Sequence, residues 1–295
     1  MTVSHSPGSP APAHAAATPL AGIRVVSIAT NVPGPIAVAR LVSMGAEAHK
    51  VEPPSGDFLA FASRAWYDAL RVGQTVTTLD LKSESGREAL YARLAESDVF
   101  LSSHRPRALA RLGLAPESLR ARWPPLCIVR ILGHAEPDGD LAGHDLTYQA
   151  EAGLVEAPHL PVSLFVDVAT GEAAATAACA LLVARAGTGR GGLADVAMSE
   201  VAARLAAPAA HGLTSSAGVL GGGLAQYGVY ETRAGWIAVA ALEPAFLQRL
   251  AEGLALDEVT AAVLAARFKD RTAAEWASWG RAHDVPMAVV ARPKP

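Results

Sequence analysis

Three side chains in this sequence have the type and setting for proton or acyl chemistry: His144, Asp167 and Glu243. His144, in Ala142-Gly143-His144-Asp145-Leu146-Thr147-Tyr148, carries the side chain whose unperturbed titration falls near neutral pH. Asp167 lies between Leu164-Phe165-Val166 and Val168-Ala169. Burial among such neighbours would raise its pKa towards that of a general acid or base. Glu243, in Glu243-Pro244-Ala245-Phe246, is a carboxylate able to orient an imidazole ring and stabilise the imidazolium. Two groups that each switch between acid and base near neutrality are what reversible proton transfer requires. Each residue also has a structural reading. Asp167 precedes a predicted helix and would serve as its N-cap. His144 follows a Gly-containing turn and reads equally as a loop histidine, and Glu243 as a helix-start carboxylate favoured by the dipole.

The elements that must position these groups follow from periodicity. Residues 23–28, Ile-Arg-Val-Val-Ser-Ile, form a β-branched run that predicts a buried strand. Val32-Pro33-Gly34-Pro35 predicts a turn, 36–44 a helix capped by Gly45, and 48–52 a strand closed by Pro53-Pro54. Strand, helix and strand with short connections predict a parallel sheet. The pattern recurs through strands at 75–81, 99–102 and 126–132 and helices at 83–95, 108–112 and 116–122. An Ala-rich helix over 171–185, a strand at 194–197 and a helix to about 207 complete a doubly wound α/β domain. Beyond the Gly/Ser-rich residues 211–223, strands at 227–232 and 236–240 flank Arg233-Ala234-Gly235, a hairpin signal. Helices at 244–254, 258–266 and 273–282 and a strand at 287–290 follow, so the second domain is small and α+β. The expected plan is a flexible tail over 1–18, the large domain over 19–210, a linker over 211–223, the small domain over 224–290 and a tail over 291–295.

The chain has 295 residues, 51% hydrophobic and 18% charged, with 25 basic against 28 acidic residues for a net charge of -3. That supports a sizeable core and points away from nucleic acid or an anionic membrane as partner. Cys127 and Cys179 lie in apolar runs without zinc-type spacing, which argues against a disulfide scaffold or metal site and for a reducing, cytoplasmic compartment. The Ala/Pro/Ser-rich start lacks the basic and apolar regions of a signal peptide. Polar breaks interrupt every run of roughly 18 residues, so no membrane-crossing helix is expected. There is no GxxxxGK[ST] loop and no GxGxxG after the first strand, so nucleoside-triphosphate chemistry is not supported.

Several motifs, in order, resemble the family III CoA-transferases (CaiB/BaiF type) from Pro19 to Pro286. They are Pro19-Leu20-Ala21-Gly22-Ile23-Arg24-Val25, Gly45-Ala46-Glu47 with Lys50-Val51-Glu52-Pro53-Pro54, and Leu79-Asp80-Leu81-Lys82-Ser83. Arg105-Pro106 before Arg111-Leu112-Gly113-Leu114, and Thr188-Gly189-Arg190-Gly191, continue the series. The resemblance implies a Rossmann-like, CoA-binding large domain, a small domain and two interlocked protomers forming a homodimer. It also implies an acyl-CoA substrate, with coenzyme A entering as part of it and no tightly bound cofactor. Pro33-Gly34-Pro35, the 142–148 segment, Gly222-Gly223 with Tyr227 and Tyr230-Glu231-Thr232, and Glu243-Pro244-Ala245-Phe246 resemble the α-methylacyl-CoA racemase branch.

In that branch the residues matching His144 and Asp167 exchange a proton across the thioester α-carbon from opposite faces, and the one matching Glu243 supports the histidine. The enolate oxygen then needs hydrogen-bond donors, expected from backbone N–H groups at a helix start. In the transferase branch the carboxylate matching Asp167 attacks the thioester, under a glycine loop matching Gly221, Gly222 and Gly223. An inactive homologue with a binding or structural role is a third reading. The resemblance assigns Arg40, Arg105 and Asp145 to CoA binding, arginine being suited to forked phosphate contacts. Departures from the family pattern are Val72 and Gln74 where basic residues are usual, Arg105-Pro106-Arg107 in place of RPG, Gly133-His134-Ala135-Glu136-Pro137 in place of GQxGP, and less sequence after Pro286.

Overall fold

The computed structural model describes residues 18–216 and 218–291, so nearly all of both expected tails lies outside the described residues. The chain divides into two compact units, one ending at Leu205 and the other starting at Ala206.

The first unit is built on six parallel strands in the order β3-β2-β1-β4-β5-β6. In chain order its elements begin with β1 (Arg24–Ser27), α1 (Pro33–Ser43), β2 (Glu47–Glu52), α2 (Phe58–Ala62), α3 (Arg64–Leu70) and β3 (Gln74–Thr78). There follow α4 (Glu84–Leu94), β4 (Val99–Ser102), α5 (Pro106–Arg111), α6 (Pro116–Arg122) and β5 (Cys127–Leu132). The last are α7 (Asp145–Glu151), α8 (Phe165–Thr188), β6 (Leu193–Ala197) and α9 (Met198–Ala210), which runs across the boundary between units. Strands β4 and β5 are buried at every position, as expected where helices cover both faces of a parallel sheet. The period of two assigns the faces. Val25, Val99, Leu101, Cys127 and Val129 pack towards α1 and α8, whereas Val26, Phe100 and Ile128 pack towards Leu90, Leu109 and Leu119 of α4 to α6.

Three expectations change. Pro33-Gly34-Pro35 opens α1 rather than forming a separate turn, because proline at the first helical position needs no N–H partner and arrives with helical φ. Helix α8 begins at Phe165 rather than 171, which places Asp167 inside its first turn and not at the N-cap, which is Leu164. Helix α8 is also long and apolar enough, by length and composition, to cross a membrane, against the expectation that no helix would be. Its alanine content supplies that apolarity, and its Val166, Ala174, Ala175, Ala178 and Leu182 pack into the core beside the sheet. Gly171 lets α8 approach α1 closely, since a Cβ there would lie 2.6 Å from Ile36 Cγ2.

In the second unit β7 (Tyr227–Glu231), β8 (Trp236–Ala240) and β9 (Met287–Val289) form an antiparallel sheet in that order. Helices α10 (Pro244–Leu254), α11 (Ala261–Phe268) and α12 (Ala273–His283) surround a core of Ile237, Val239, Leu250, Leu264, Phe268 and Trp276. Trp276 Nε1 satisfies its polar edge by donating to the Phe268 carbonyl at 2.8 Å. The Gly/Ser-rich stretch is folded back on itself rather than extended: Leu220 N–H donates to Leu213, and a Cβ on Gly221 would meet the Ser215 carbonyl at 1.7 Å.

Candidate active site

The strand order reverses between β1 and β4, and in open parallel sheets ligands bind at the carboxyl ends of the strands at such a point. A cavity of about 200 Å³ lies there. Its walls come from the β1–α1 loop (Thr30, Asn31, Pro33), the β4–α5 loop (Ser103, Arg105), Gly133 after β5, and Gly143, His144, Tyr148 and Asp167. The two acid/base candidates of the first unit therefore share one cavity, although 22 residues separate Asp145 beside the first from Asp167.

Asp145 is what joins them. It is the first residue of α7 and only 4% exposed, and its Oδ1 accepts the Asp167 N–H at 2.9 Å. Its Oδ2 accepts Gln149 Nε2, which also donates to the Ser163 carbonyl at 3.1 Å. The start of α8 is thereby tied to the start of α7. The carboxylate expected among CoA contacts is occupied inside the protein, and its work is to place Asp167. His144 is the N-cap residue of α7 with an exposed side chain. Thr147 Oγ1 accepts its N–H at 3.1 Å and donates to its carbonyl at 2.8 Å, fixing the backbone that carries the ring.

Asp167 is the unusual group. Burial, and then the neighbouring Asp145 carboxylate, push its carboxyl up to about 7. The positive end of α8 favours the ionised form, but dehydration and like charge outweigh it. The expected route to a neutral-range carboxyl is thus present, with Asp145 as an added cause that composition did not reveal.

The β1–α1 wall has its own support. Asn31 adopts a left-handed φ of 67°, and its N–H donates to Asp57 Oδ1 at 3.0 Å. Thr30 N–H donates to Ser103 Oγ at 3.1 Å, joining this wall to the β4–α5 loop. Asp57 Oδ2 pairs with Lys50 Nζ at 2.5 Å, Lys50 also pairs with Glu52 at 2.8 Å, and Tyr67 donates to Glu52 at 2.8 Å. Burial together with that bond pushes the Tyr67 hydroxyl up to about 12. Sequence reasoning missed Asp57 and Tyr67. The available signal was Lys50, a cation inside a strand, which demands buried partners.

A second cavity of about 380 Å³ opens at the carboxyl ends of β1 and β2, lined by Ile28, Val51, Ser55, Asp80, Lys82 and His104. Burial pushes the His104 imidazole down. Arg105 stands at the N-cap of α5 and reaches the first cavity. Arg40 is exposed on α1, 3.4 Å from Glu172 of α8. Glu243 and the Gly221–Gly223 loop belong to the second unit. Glu243 is the N-cap residue of α10 without a side-chain cap bond, and Gly221 and Gly222 line a cavity beside Tyr227 and Val239.

Residues 20–295 match CoA-transferase family III. The chain belongs to this family. It is 33% identical over 213 residues to a probable fatty acyl-CoA transferase of Mycobacterium tuberculosis, covering 65% of this chain and 53% of that protein. It is 32% identical over 256 residues to the α-methylacyl-CoA racemase of Mus musculus, covering 81% of this chain and 65% of the racemase. Over 139 residues it is 34% identical to a cinnamoyl-CoA:phenyllactate CoA-transferase of Clostridium sporogenes, covering 43% of this chain and 34% of that protein. The matches therefore span between a third and two thirds of these relatives' own lengths. A crystal structure of a hypothetical protein of Mycobacterium tuberculosis superposes with a TM-score of 0.83 at 27% identity, covering 94% of this chain and 86% of that one. A CaiB/BaiF family protein of Brucella suis gives 0.79 at 25% identity, covering 94% and 85%. This chain accordingly belongs to a CoA-utilising family whose named members include transferases and a racemase.

Proposed function

We propose that this family III chain moves a proton at the α-carbon of an acyl-CoA thioester, with Asp167 and His144 as the two acid/base groups. The observation that carries this reading is a carboxyl raised to about 7 in the same cavity as a free imidazole. The thioester carbonyl acidifies the α-hydrogen. One group removes it, leaving an enolate, and the other returns a proton to the opposite face. The family resemblance carries a supporting role in the same chemistry to Glu243, the N-cap residue of α10 in the second unit. Arg105 at the cavity and Arg40 on α1 supply cations for the CoA phosphates, and the neighbouring cavity with Lys82 offers space along the same sheet edge. Coenzyme A enters as part of the substrate and leaves with it. A homodimer and a cytoplasmic setting belong to the same proposal; two free cysteines fit the latter.

CoA transfer is the second reading, favoured by two relatives named as transferases. Here ionised Asp167 attacks the thioester carbonyl and expels CoA thiolate, forming a mixed anhydride. The thiolate then attacks the Asp167 acyl carbon and releases the first carboxylic acid, leaving an Asp167–CoA thioester for the acceptor acid to take.

His144→Ala separates the two. For proton transfer, one enantiomer of a 2-methylacyl-CoA keeps exchanging its α-hydrogen with deuterium at Asp167 without inverting. The other loses about 10²–10⁴-fold in exchange. Equal, small losses for both enantiomers, with label trapped on Asp167, assign the chain to transfer instead.

A further inference from the structure

Tyr148 belongs to neither set of assigned residues, yet it stands four positions after His144 on α7 and lines the cavity holding Asp167. It is 2% exposed, with its ring edge-on to His134 at a centroid distance of 5.3 Å. The hydroxyl lies against two glycines of the cavity wall. A Cβ on Gly133 or on Gly143 would come within 2.3 Å of Tyr148 Oη. Neither glycine has a left-handed φ, so space and not backbone freedom explains them. Of the polar groups nearest in the chain, Asp145 holds the Asp167 N–H and Gln149 Nε2, while Gln149 Oε1 is buried without a partner. Among the described residues no hydrogen bond engages the Tyr148 hydroxyl, and this oxygen is not among the fully buried unpartnered atoms, so its donor is open to a ligand in the cavity that the residue lines.

We propose that Tyr148 donates a hydrogen bond to the carbonyl oxygen of the bound acyl thioester, and that Gly133 and Gly143 are glycines to admit its hydroxyl. This rests on the acyl-CoA reading of the cavity but not on the choice between proton transfer and CoA transfer. Loss of the α-proton puts negative charge on that oxygen as an enolate. Attack by Asp167 puts it there as a tetrahedral oxyanion. A fixed neutral donor strengthens its bond in both cases as charge develops, which lowers the barrier more than it tightens binding. Burial raises the phenol above its usual range, so it stays a donor at neutral pH without giving up its proton.

The test uses [1-¹³C]2-methylacyl-CoA as probe. In the wild type, the infrared carbonyl band of the bound probe should lie below its position in buffer, and Tyr148→Phe should move it back. The same variant should lose about 10²–10³-fold in kcat for whichever reaction the wild type shows with the probe, α-deuterium exchange or transfer of its acyl group from CoA, while KM changes less than about threefold. Gly133→Ala adds a readout of placement. It should impair the wild type but cost little further in the Tyr148→Phe background, because beyond the hydroxyl the added carbon meets ring Cζ only at 3.4 Å. An unshifted band in the wild type, or an unchanged band and kcat in Tyr148→Phe, overturns the proposal. Equal cost of Gly133→Ala in both backgrounds overturns the assigned hydroxyl position. Failure of the acyl-CoA reading looks different: the probe does not bind, or Asp167→Ala still turns it over.

Discussion

Two groups of carboxylates, buried or half-buried, sit at the carboxyl edge of the same sheet, and they are wired oppositely. In the first, Lys50, 1% exposed, lies between Asp57 and Glu52, and Asp57 Oδ1 also accepts two backbone N–H groups, from Asn31 and Leu59. Charge there is neutralised and every contact serves to hold the β1–α1 wall. In the second, Asp167 lies beside Asp145, and among the described residues no cation offsets the burial and like charge that raise its carboxyl. Its carboxyl consequently titrates near neutrality, where a proton can move at low cost. The difference teaches that burial alone does not mark a reactive acid. Burial with a matched cation makes a brace, and burial beside a second carboxylate makes a group that exchanges protons.

The largest expected effect tests the reactive group. Asp167→Asn should lower turnover of acyl-CoA by roughly 10³-fold or more with the fold intact, since the amide can neither take a proton nor attack a thioester. Near-normal kcat with a lowered melting temperature would assign Asp167 to structure and erase the contrast. The next effect tests the brace. Lys50→Met leaves Asp57 and Glu52 buried without a cation and should cost about 3–5 kcal/mol in urea unfolding. A neutral result would mean that water already solvates the cluster.

A third test sharpens the comparison through pH. Asp167 titrates near 7 in the folded protein against an ordinary carboxylate value of 3.8. Between those values the folded state holds a proton that the unfolded chain has lost. This contribution to stability is thus complete below pH 3.8 and is lost as pH rises through about 7. Chemical denaturation followed from pH 4 to 8 should show a decline in the wild type that Asp167→Asn flattens. Identical slopes in the two proteins would place the Asp167 pKa at its ordinary value.

Much of the scaffold was legible from residue pattern. The short apolar runs around Val25, Val99 and Val129 are bounded by turn signals, and these local properties survive folding. Helices α2, α3 and α7 escaped notice because five to seven residues display little of a 3.6-residue period, and unlike the equally short α5 and α6 they have no proline at the first helical position to mark their start. The early start of α8 escaped because Leu164 is a weak cap signal, the ordering coming from Asp145 across the loop.

The same division holds at the site. Residue type alone marks His144, Asp167 and Lys50 as chemically capable, because titration range and apolar flanks are written in the neighbouring letters. Their roles are not. A carboxyl raised by burial and by a second carboxylate 22 positions away, a lysine neutralised by Asp57, and a hydroxyl seated against Gly133 and Gly143 all depend on distances set only when α7, α8 and the strand ends meet. Electrostatic and steric energies depend on separation in space and on the loss of water, neither of which has a one-dimensional signature. The sequence by itself determined which groups are available and what fold would carry them; the tertiary structure decided that one buried acid is braced and the other is left free to react.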